Sequence, residues 1–339
     1  MPADRSPLAA APADAPRGPD RRQFVAFGLG LFVVGAVPLA ARRRPQLVRR
    51  SLPVMGTIAE LAVAHADPRY AHAAIDAALA VLQHVERTMT RFTATSDVGR
   101  ANRGAATAPV PVAPATARVV AEALAWADAT DGWYDPAIGG AVALWDVTHR
   151  HEPPPADAVE RLAGRALHRA VEVGAQRGEA VLRFHDPDAS VDLGAIAKGY
   201  GVDRAVDALR RWGIGHALVN VGGDLHALGT APSGDPWRIG IQDPDDGRRL
   251  LTTLDVADAA VATSGTYLQF FRHRGRRYHH LLDPLTGAPR ATAVRSLTVR
   301  ADSCMHADVA ATALFGMPAA AAARVLARRA PGAEVLLAV

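Results

Sequence analysis

Asp192-Leu-Gly-Ala-Ile-Ala-Lys-Gly-Tyr-Gly-Val-Asp203 is the most patterned stretch of this chain, and it reads as a turn running into a helix. Asp192 and Gly194 lead into a segment with Ile196, Tyr200, Val206 and Leu209 at helical spacing, which predicts a helix over 195–212. Free backbone N–H groups and the positive helix end would face whatever sits at its start, with Lys198 one turn in, the logic of an anion site. It is not a phosphate-binding G-x-x-x-x-G-K-[ST] loop, because that spacing is absent and Gly199 follows the lysine. Asp192 also has a plain reading as a helix N-cap. Lys198 stands out further, since the chain holds 37 arginines and this one lysine. A compact ammonium serves where a broad guanidinium fork does not fit, so the competing readings are a site residue and chance survival in an arginine-rich composition.

Outward from this helix, strands and helices come in runs and do not alternate. Strand patterns over 47–63 break at Met55-Gly-Thr57, a helical stripe covers 70–92, and further helices are predicted over 116–129 and 156–167. Short β runs at 170–173 and 180–184 read as a hairpin. After the central helix, strands are predicted at 216–221, 237–241, 250–256, 267–272, 278–282 and 294–300. Helices at 306–315 and 319–329 and a strand at 334–337 follow. This order argues for an α+β class and against a doubly wound sheet. The segment 105–115, rich in Ala and Pro, reads as a surface loop.

At 339 residues the chain has ample length for a large core, and 49% hydrophobic with 21% charged residues argues against a largely disordered protein. The net charge of +4 suggests nucleic acid until it is divided by position. Residues 1–50 hold nine Arg against three Asp, and the remainder carries a net charge of −2. A nucleic-acid binder needs its positive charge on the folded surface, so no nucleic-acid partner is expected. Residues 1–45 read instead as an address. Paired Arg21 and Arg22 precede an uncharged run over 24–41 and then Arg42-Arg-Arg44, the layout of a twin-arginine-like signal peptide or N-terminal anchor. The expectation is an exported protein, periplasmic or attached to the outer face of the cytoplasmic membrane, with residues 46–339 as its working domain. Cys304 is the only cysteine, which excludes an intrachain disulfide and paired-cysteine metal sites, and it reads as a small packing residue.

Three more groupings carry chemistry. In His306-Ala-Asp-Val-Ala-Ala-Thr312, Asp308 and Thr312 are four apart and share a helix face, a hard-oxygen pair suited to Mg²⁺ or simply a solvated surface. In Tyr278-His-His-Leu-Leu-Asp-Pro-Leu-Thr-Gly287, adjacent histidines on a strand point to opposite faces, so only one faces a given pocket. Asp283 either orients that histidine or initiates the turn. The turns Met55-Gly-Thr57, Gly132-Trp-Tyr-Asp-Pro136, Asn220-Val-Gly-Gly-Asp224 and Ser264-Gly-Thr-Tyr267 add aromatic and acidic groups. Trp133 and Tyr134 suit a planar ring whose polar edge meets Asp135, or they are core aromatics beside a turn.

The ordered set formed by Met-Gly-Thr at 55, Asp-Leu-Gly-x-Ile-Ala-Lys-Gly-Tyr at 192, Val-Asn-Val-Gly-Gly-Asp at 219, Ser-Gly-Thr-Tyr at 264, His-x-Leu-Asp-Pro-x-Thr-Gly at 280 and Ala-Asp-x-x-x-Thr at 307 resembles the ApbE family, the FAD:protein FMN transferases. The resemblance runs from about Leu52 to the C-terminus. It implies a single mixed α/β catalytic domain that uses Mg²⁺ and FAD to attach FMN, through its phosphate, to a Thr or Ser of an acceptor flavoprotein in a membrane-associated electron-transfer system, releasing AMP. FAD hydrolysis to FMN and AMP, or a non-enzymatic exported flavin-binding protein, are the alternatives. By motif the resemblance implies metal ligation by Asp308, Thr312 and the Ala195 carbonyl. It implies FAD contacts at Met55, Phe92, Trp133, Tyr134, Asp135, Asp192, Lys198 and Leu282, and catalytic roles for His280 and Lys198. This chain departs in carrying Ala311 where some members have a second acid, and Phe92 where Tyr or Trp is frequent.

Overall fold

A computed structural model describes residues 45–339; the leader expected over 1–45 lies almost wholly outside the described residues. The chain opens with a hairpin of β1 (Gln46–Val54) and β2 (Thr57–His65), joined through Met55 and Gly56. Both turn residues have positive φ, 54° and 72°, the backbone of a two-residue turn whose twist matches paired strands. Helices α1 (Pro68–Met89) and α2 (Asp97–Gly104), strand β3 (Val110–Pro111), and helices α3 (Pro114–Ala129), α4 (Gly139–Trp145) and α5 (Ala156–Glu160) follow. Then come the hairpin β4 (Val171–Gln176) and β5 (Glu179–Phe184), helix α6 (Ala197–Arg211), and strands β6 (Ala217–Val221), β7 (Asp224–Leu228), β8 (Trp237–Gln242), β9 (Leu250–Val256) and β10 (Ala259–Gly265). A further hairpin of β11 (Phe270–His273) and β12 (Arg276–His279) leads to β13 (Leu282–Asp283), β14 (Ala288–Pro289) and β15 (Ser296–Ala301). Helices α7 (Cys304–Ala313) and α8 (Ala319–Arg329) precede β16 (Glu334–Ala338).

The main sheet has seven strands in the order β1-β2-β6-β7-β10-β15-β16, with every neighbouring pair antiparallel. This bears out the α+β class. Alternate side chains serve two cores, as the period of a strand requires. Val219 and Val221 of β6 and Ala260 and Ala262 of β10 face helices α1 and α6, where Ile75, Leu82, Val202 and Leu209 fill the interface. Leu218, Ala259 and Val261 face the other way, onto Trp237, Ile239 and Val256 of the β8–β9 ribbon. A further core forms where α3, the β4–β5 hairpin, α7 and α8 meet around Trp126, Phe184 and Phe315.

The helix over 156–167 is the main error of element reading. Only Ala156–Glu160 is α-helical, and it fully buries no residue; Val159 and Leu162 only half-bury against the Trp145 and Phe271 cluster, too little to sustain a longer helix. Strands β7 and β10 escape sequence reading for a different reason. Both are covered on two faces, which removes alternation; β7 opens on a buried acid, and β10 is built of small residues with weak strand propensity. The 105–115 loop contains the two residues of β3. Cys304 is buried, and burial raises its thiol pKa, in keeping with a packing role.

Candidate active site

Lys198 lies in the first turn of α6, and three elements converge on its ammonium. Nζ stands 2.8 Å from Asp224 Oδ2 at the start of β7, and 3.2 and 3.4 Å from the two carboxylate oxygens of Asp308 on α7. It also donates to the Gly194 carbonyl at 3.1 Å. Burial disfavours the ammonium, yet the two carboxylates outweigh it and hold the Lys198 pKa above its usual value. Burial, with the Asp308 charge, pushes the Asp224 carboxyl up despite Lys198. The lysine is therefore a fixed cation wedged between two acids, and Asp224 is a site residue that sequence reading placed only in a turn.

Asp308 is held by backbone as well. The Gly199 N–H donates to its Oδ2 at 2.9 Å. In a regular helix that N–H would bond the Ala195 carbonyl four residues back; here Ala195 keeps a carbonyl oxygen free of Gly199. Glycine is required for this approach, since a Cβ at 199 would stand 2.2 Å from the Cys304 carbonyl oxygen and 2.8 Å from Asp308 Cβ. One turn on, Asp203 accepts the Cys304 and Met305 N–H groups at 2.8 and 3.0 Å, capping α7 from α6. Thr312, the turn after Asp308, shares a 2.8 Å hydrogen bond with Ser264 at the end of β10. Asp308, Thr312 and the Ala195 carbonyl offer only hard oxygens, a donor set that fits Mg²⁺ with water or phosphate completing the shell. Among the described residues no cluster of three or more His, Cys, Asp or Glu side chains suits a metal, so one carboxylate would carry the protein's share.

The two histidines divide as strand geometry requires. His279 is buried, with Nε2 against the Arg290 carbonyl at 3.2 Å, and burial pulls its pKa down to about 4. His280 is half-buried, and its Nδ1 meets the Gln269 carbonyl at 3.2 Å. That carbonyl only accepts, so Nδ1 carries the proton and Nε2 is left as an acceptor. Burial lowers the His280 pKa to about 4, and the charges of His279 and Lys198 add to the shift, so the ring is neutral at pH 7. Asp283 orients neither histidine; its Oδ1 and carbonyl accept the N–H groups of Leu285, Thr286 and Gly287, so it builds the turn.

The aromatic turn sits against a residue that sequence reading missed. Arg290 is 6% exposed, its guanidinium lies 4.2 Å over the Trp133 ring, and Nη2 donates to the Trp133 and Leu282 carbonyls. Its Nη1 is buried without a partner, and burial lowers its pKa to about 10. Arg290 thus ties the Trp133 turn to the strand that follows His280. Tyr134 is buried with an unpartnered hydroxyl, and burial together with the charges of Asp192, Asp308 and Asp135 raises its pKa. Asp135 uses both carboxylate oxygens internally, on the Ala137 N–H and on His168.

The remaining expected contacts are distributed around these groups. Asp192 is not a helix N-cap, because α6 starts at Ala197; it accepts the Gly194 N–H at 2.7 Å and pairs with Arg91 Nε at 2.7 Å. Arg91 in turn lies 4.2 Å over Phe92, whose ring is 80% exposed and open to stacking. Met55 is held in its turn by Glu86, which accepts its N–H at 2.7 Å, and its sulfur lies against Gly201 of α6. The Leu282 side chain packs with Trp145 and Phe271, and its carbonyl accepts from Arg290. Arg91 has only its place beside Phe92 as a sequence signal, and Glu86, 31 residues from Met55, has none.

Comparison with known proteins gives this geometry a context. A family model described as the ApbE family matches residues 55–337. The FAD:protein FMN transferase of Vibrio cholerae is 34% identical, with 82% of this chain and 84% of that protein covered, and that of Treponema pallidum is 32% identical over 89% and 87%. Among solved structures, the flavin transferase ApbE of Vibrio cholerae superposes with a TM-score of 0.72 at 31% identity, covering 84% of this chain and 91% of that one. The ApbE protein of Thermotoga maritima gives a TM-score of 0.76 at 27% identity, over 86% and 94%. With a family match spanning nearly the whole described region, and relatives above 30% identity over more than four-fifths of its length, this chain belongs to the ApbE family.

Proposed function

We propose that this chain is a Mg²⁺-dependent FAD:protein FMN transferase, moving FMN from FAD to a Thr or Ser hydroxyl of an acceptor protein with release of AMP. The observation that carries the reading is the Lys198 cation locked between Asp224 and Asp308 while its charge acts on a neutral His280 with Nε2 free to accept. In the reaction the acceptor oxygen forms a bond to the FMN phosphorus as its proton leaves, and the bridging P–O bond to AMP breaks. His280 Nε2 is the base for that proton, and Lys198 offsets charge on the diphosphate. Asp308, Thr312 and the Ala195 carbonyl would hold Mg²⁺, which when bound supplies further charge compensation on the phosphates. Phe92 and Trp133 supply flat faces for FAD rings, with Met55 and Tyr134 beside them.

We place the domain outside the cytoplasm and its acceptor in a membrane-associated electron-transfer system. Among the described residues no helix is long and apolar enough to cross a membrane. Incubating the purified protein with FAD, Mg²⁺ and a candidate acceptor, then weighing the acceptor, tests the proposal. A gain of the FMN mass on a Thr or Ser supports it. FMN and AMP accumulating beside an unmodified acceptor supports FAD hydrolysis, and intact FAD throughout supports flavin binding without catalysis.

A further inference from the structure

The β11–β12 hairpin carries Phe270-Phe-Arg-His-Arg-Gly-Arg-Arg-Tyr278, four arginines in six residues with no acid, on a domain, residues 46–339, whose positive and negative side chains balance to a net charge of zero. Its register sets like charges against each other. Arg272 pairs directly with Arg277, and His273 with Arg276, an arrangement that weakens a hairpin. Arg272, Arg274 and Arg276 are exposed, and Arg277 is half-buried, its pKa lowered by burial and then by the charge of Arg272. Arg295 nearby pairs with Asp245, whereas none of the four hairpin arginines forms an ion pair with a described residue. They rest on aromatic faces instead: Arg277 and Arg272 lie 4.5 and 5.9 Å from the Phe270 ring, and Arg276 lies 5.1 Å from that of Tyr278.

The hairpin runs directly into the proposed base. His280 follows β12, and its Nδ1 is held by Gln269, the residue before β11. At about 3.4 Å per residue, Arg276 stands roughly 14 Å along the strand from His280. Strand alternation puts Arg272 and Arg277 on the face of Phe270, and Arg276 on the face where Phe271 and Tyr278 stack toward Trp145; Arg272, Arg274 and Arg276 all reach solvent toward the tip. A fold that keeps self-repelling cations on the strand leading to its base gains most when a negative partner covers them. We infer that the β11–β12 hairpin is the docking surface for the acceptor protein, and that it recognises an acidic segment flanking the hydroxyl that receives FMN. The inference rests on the transferase reading above.

The test uses the full chain with FAD, Mg²⁺ and a pool of short synthetic peptides, each with one Thr in otherwise random sequence, and sequences the peptides that gain the FMN mass. The parent protein is expected to enrich Asp and Glu near the Thr several-fold. The combined variant Arg272→Glu, Arg274→Glu, Arg276→Glu is expected to lose that enrichment while its KM for FAD stays unchanged. Labelled peptides without acidic enrichment, or the same enrichment in the variant, would overturn the inference. So would a variant that keeps its peptide preference but loses binding to phosphatidylglycerol vesicles, because the surface would then serve a membrane. If FAD is cleaved and no peptide is labelled, the transferase reading fails first and the docking inference falls with it; a raised KM for FAD in the variant would show that the arginines act on FAD.

Discussion

Replacing Gly199 by alanine tests the core of the site with a single methyl group. The new Cβ would sit 2.2 Å from the Cys304 carbonyl oxygen, 2.6 Å from its carbon and 2.8 Å from Asp308 Cβ. Two of these atoms are backbone, so relief requires α6 and α7 to separate by about 1 Å to reach ordinary contact distances. The separation lengthens the Gly199 N–H bond to Asp308 and pulls Asp308 from Lys198. Overpacking of this kind costs about 1–3 kcal/mol of stability, and a shift near 1 Å at reacting groups costs on the order of 100-fold in rate. Gly201, two residues along, is the matched control. There a Cβ would meet the Leu82 and Met55 side-chain ends at 3.2 and 3.3 Å, which can yield, and alanine gains about 1 kcal/mol of helix propensity. Thermal unfolding and FMN transfer measured on both variants decide the matter. Gly201→Ala is expected to remain folded with activity reduced far less than Gly199→Ala. A Gly199→Ala protein with full activity and unchanged stability would refute the argument that this close approach positions Asp308.

Other perturbations follow from the same geometry. Lys198→Arg keeps the charge but places a wide fork between Asp224, Asp308 and the Gly194 carbonyl, so FMN transfer should fall at least 10-fold, and full activity would mean that ammonium geometry is irrelevant. Arg290→Met removes the bridge between the Trp133 and Leu282 carbonyls; titration by flavin fluorescence should show FAD binding weakened several-fold, with Arg290→Lys failing to restore it because an ammonium lacks the flat face that lies over the Trp133 ring. The buried His279 is neutral in the fold, with a pKa near 4 against 6.5 unfolded, so the unfolded chain takes up its proton first as pH falls. Stability from this group is present above pH 6.5 and is lost progressively down to about pH 4, an effect on the order of 3 kcal/mol. Denaturant melts at pH 7, 5.5 and 4.5 measure it, and His279→Gln should remove this share of the dependence, leaving that of His280, whose pKa is also lowered to about 4.

Sequence periodicity locates α1, α6, α8 and the β1–β2 hairpin because each buries one face, and a single period is what such elements display. It fails at β7 and β10, where both faces are covered, and at α5, where no residue is fully buried. The site shows the same division. Lys198 was legible through composition and Asp308 with Thr312 through helical spacing, since each signal lies within one segment. Asp224, Ser264, Arg91 and Arg290 reach the site from other strands and loops, and their partners are 26 to 157 residues away in sequence. Asp203 was quoted within its motif without a role, because capping a helix from a different helix leaves no trace in local spacing.

That cap has a consequence for how the family's motif can vary. Gly199 meets Cys304 and Asp308 while Asp203 holds the N–H groups of Cys304 and Met305, so two helices are matched at points one turn apart on each. The segment from 198 to 203 therefore acts as a ruler. Inserting or deleting one residue inside it would rotate everything beyond by about 100°, carrying either the cap or the lysine away from its partner. Length changes in this enzyme should accumulate in hairpin tips and surface turns, and within the six positions Gly201 tolerates substitution more readily than the segment tolerates a change in length.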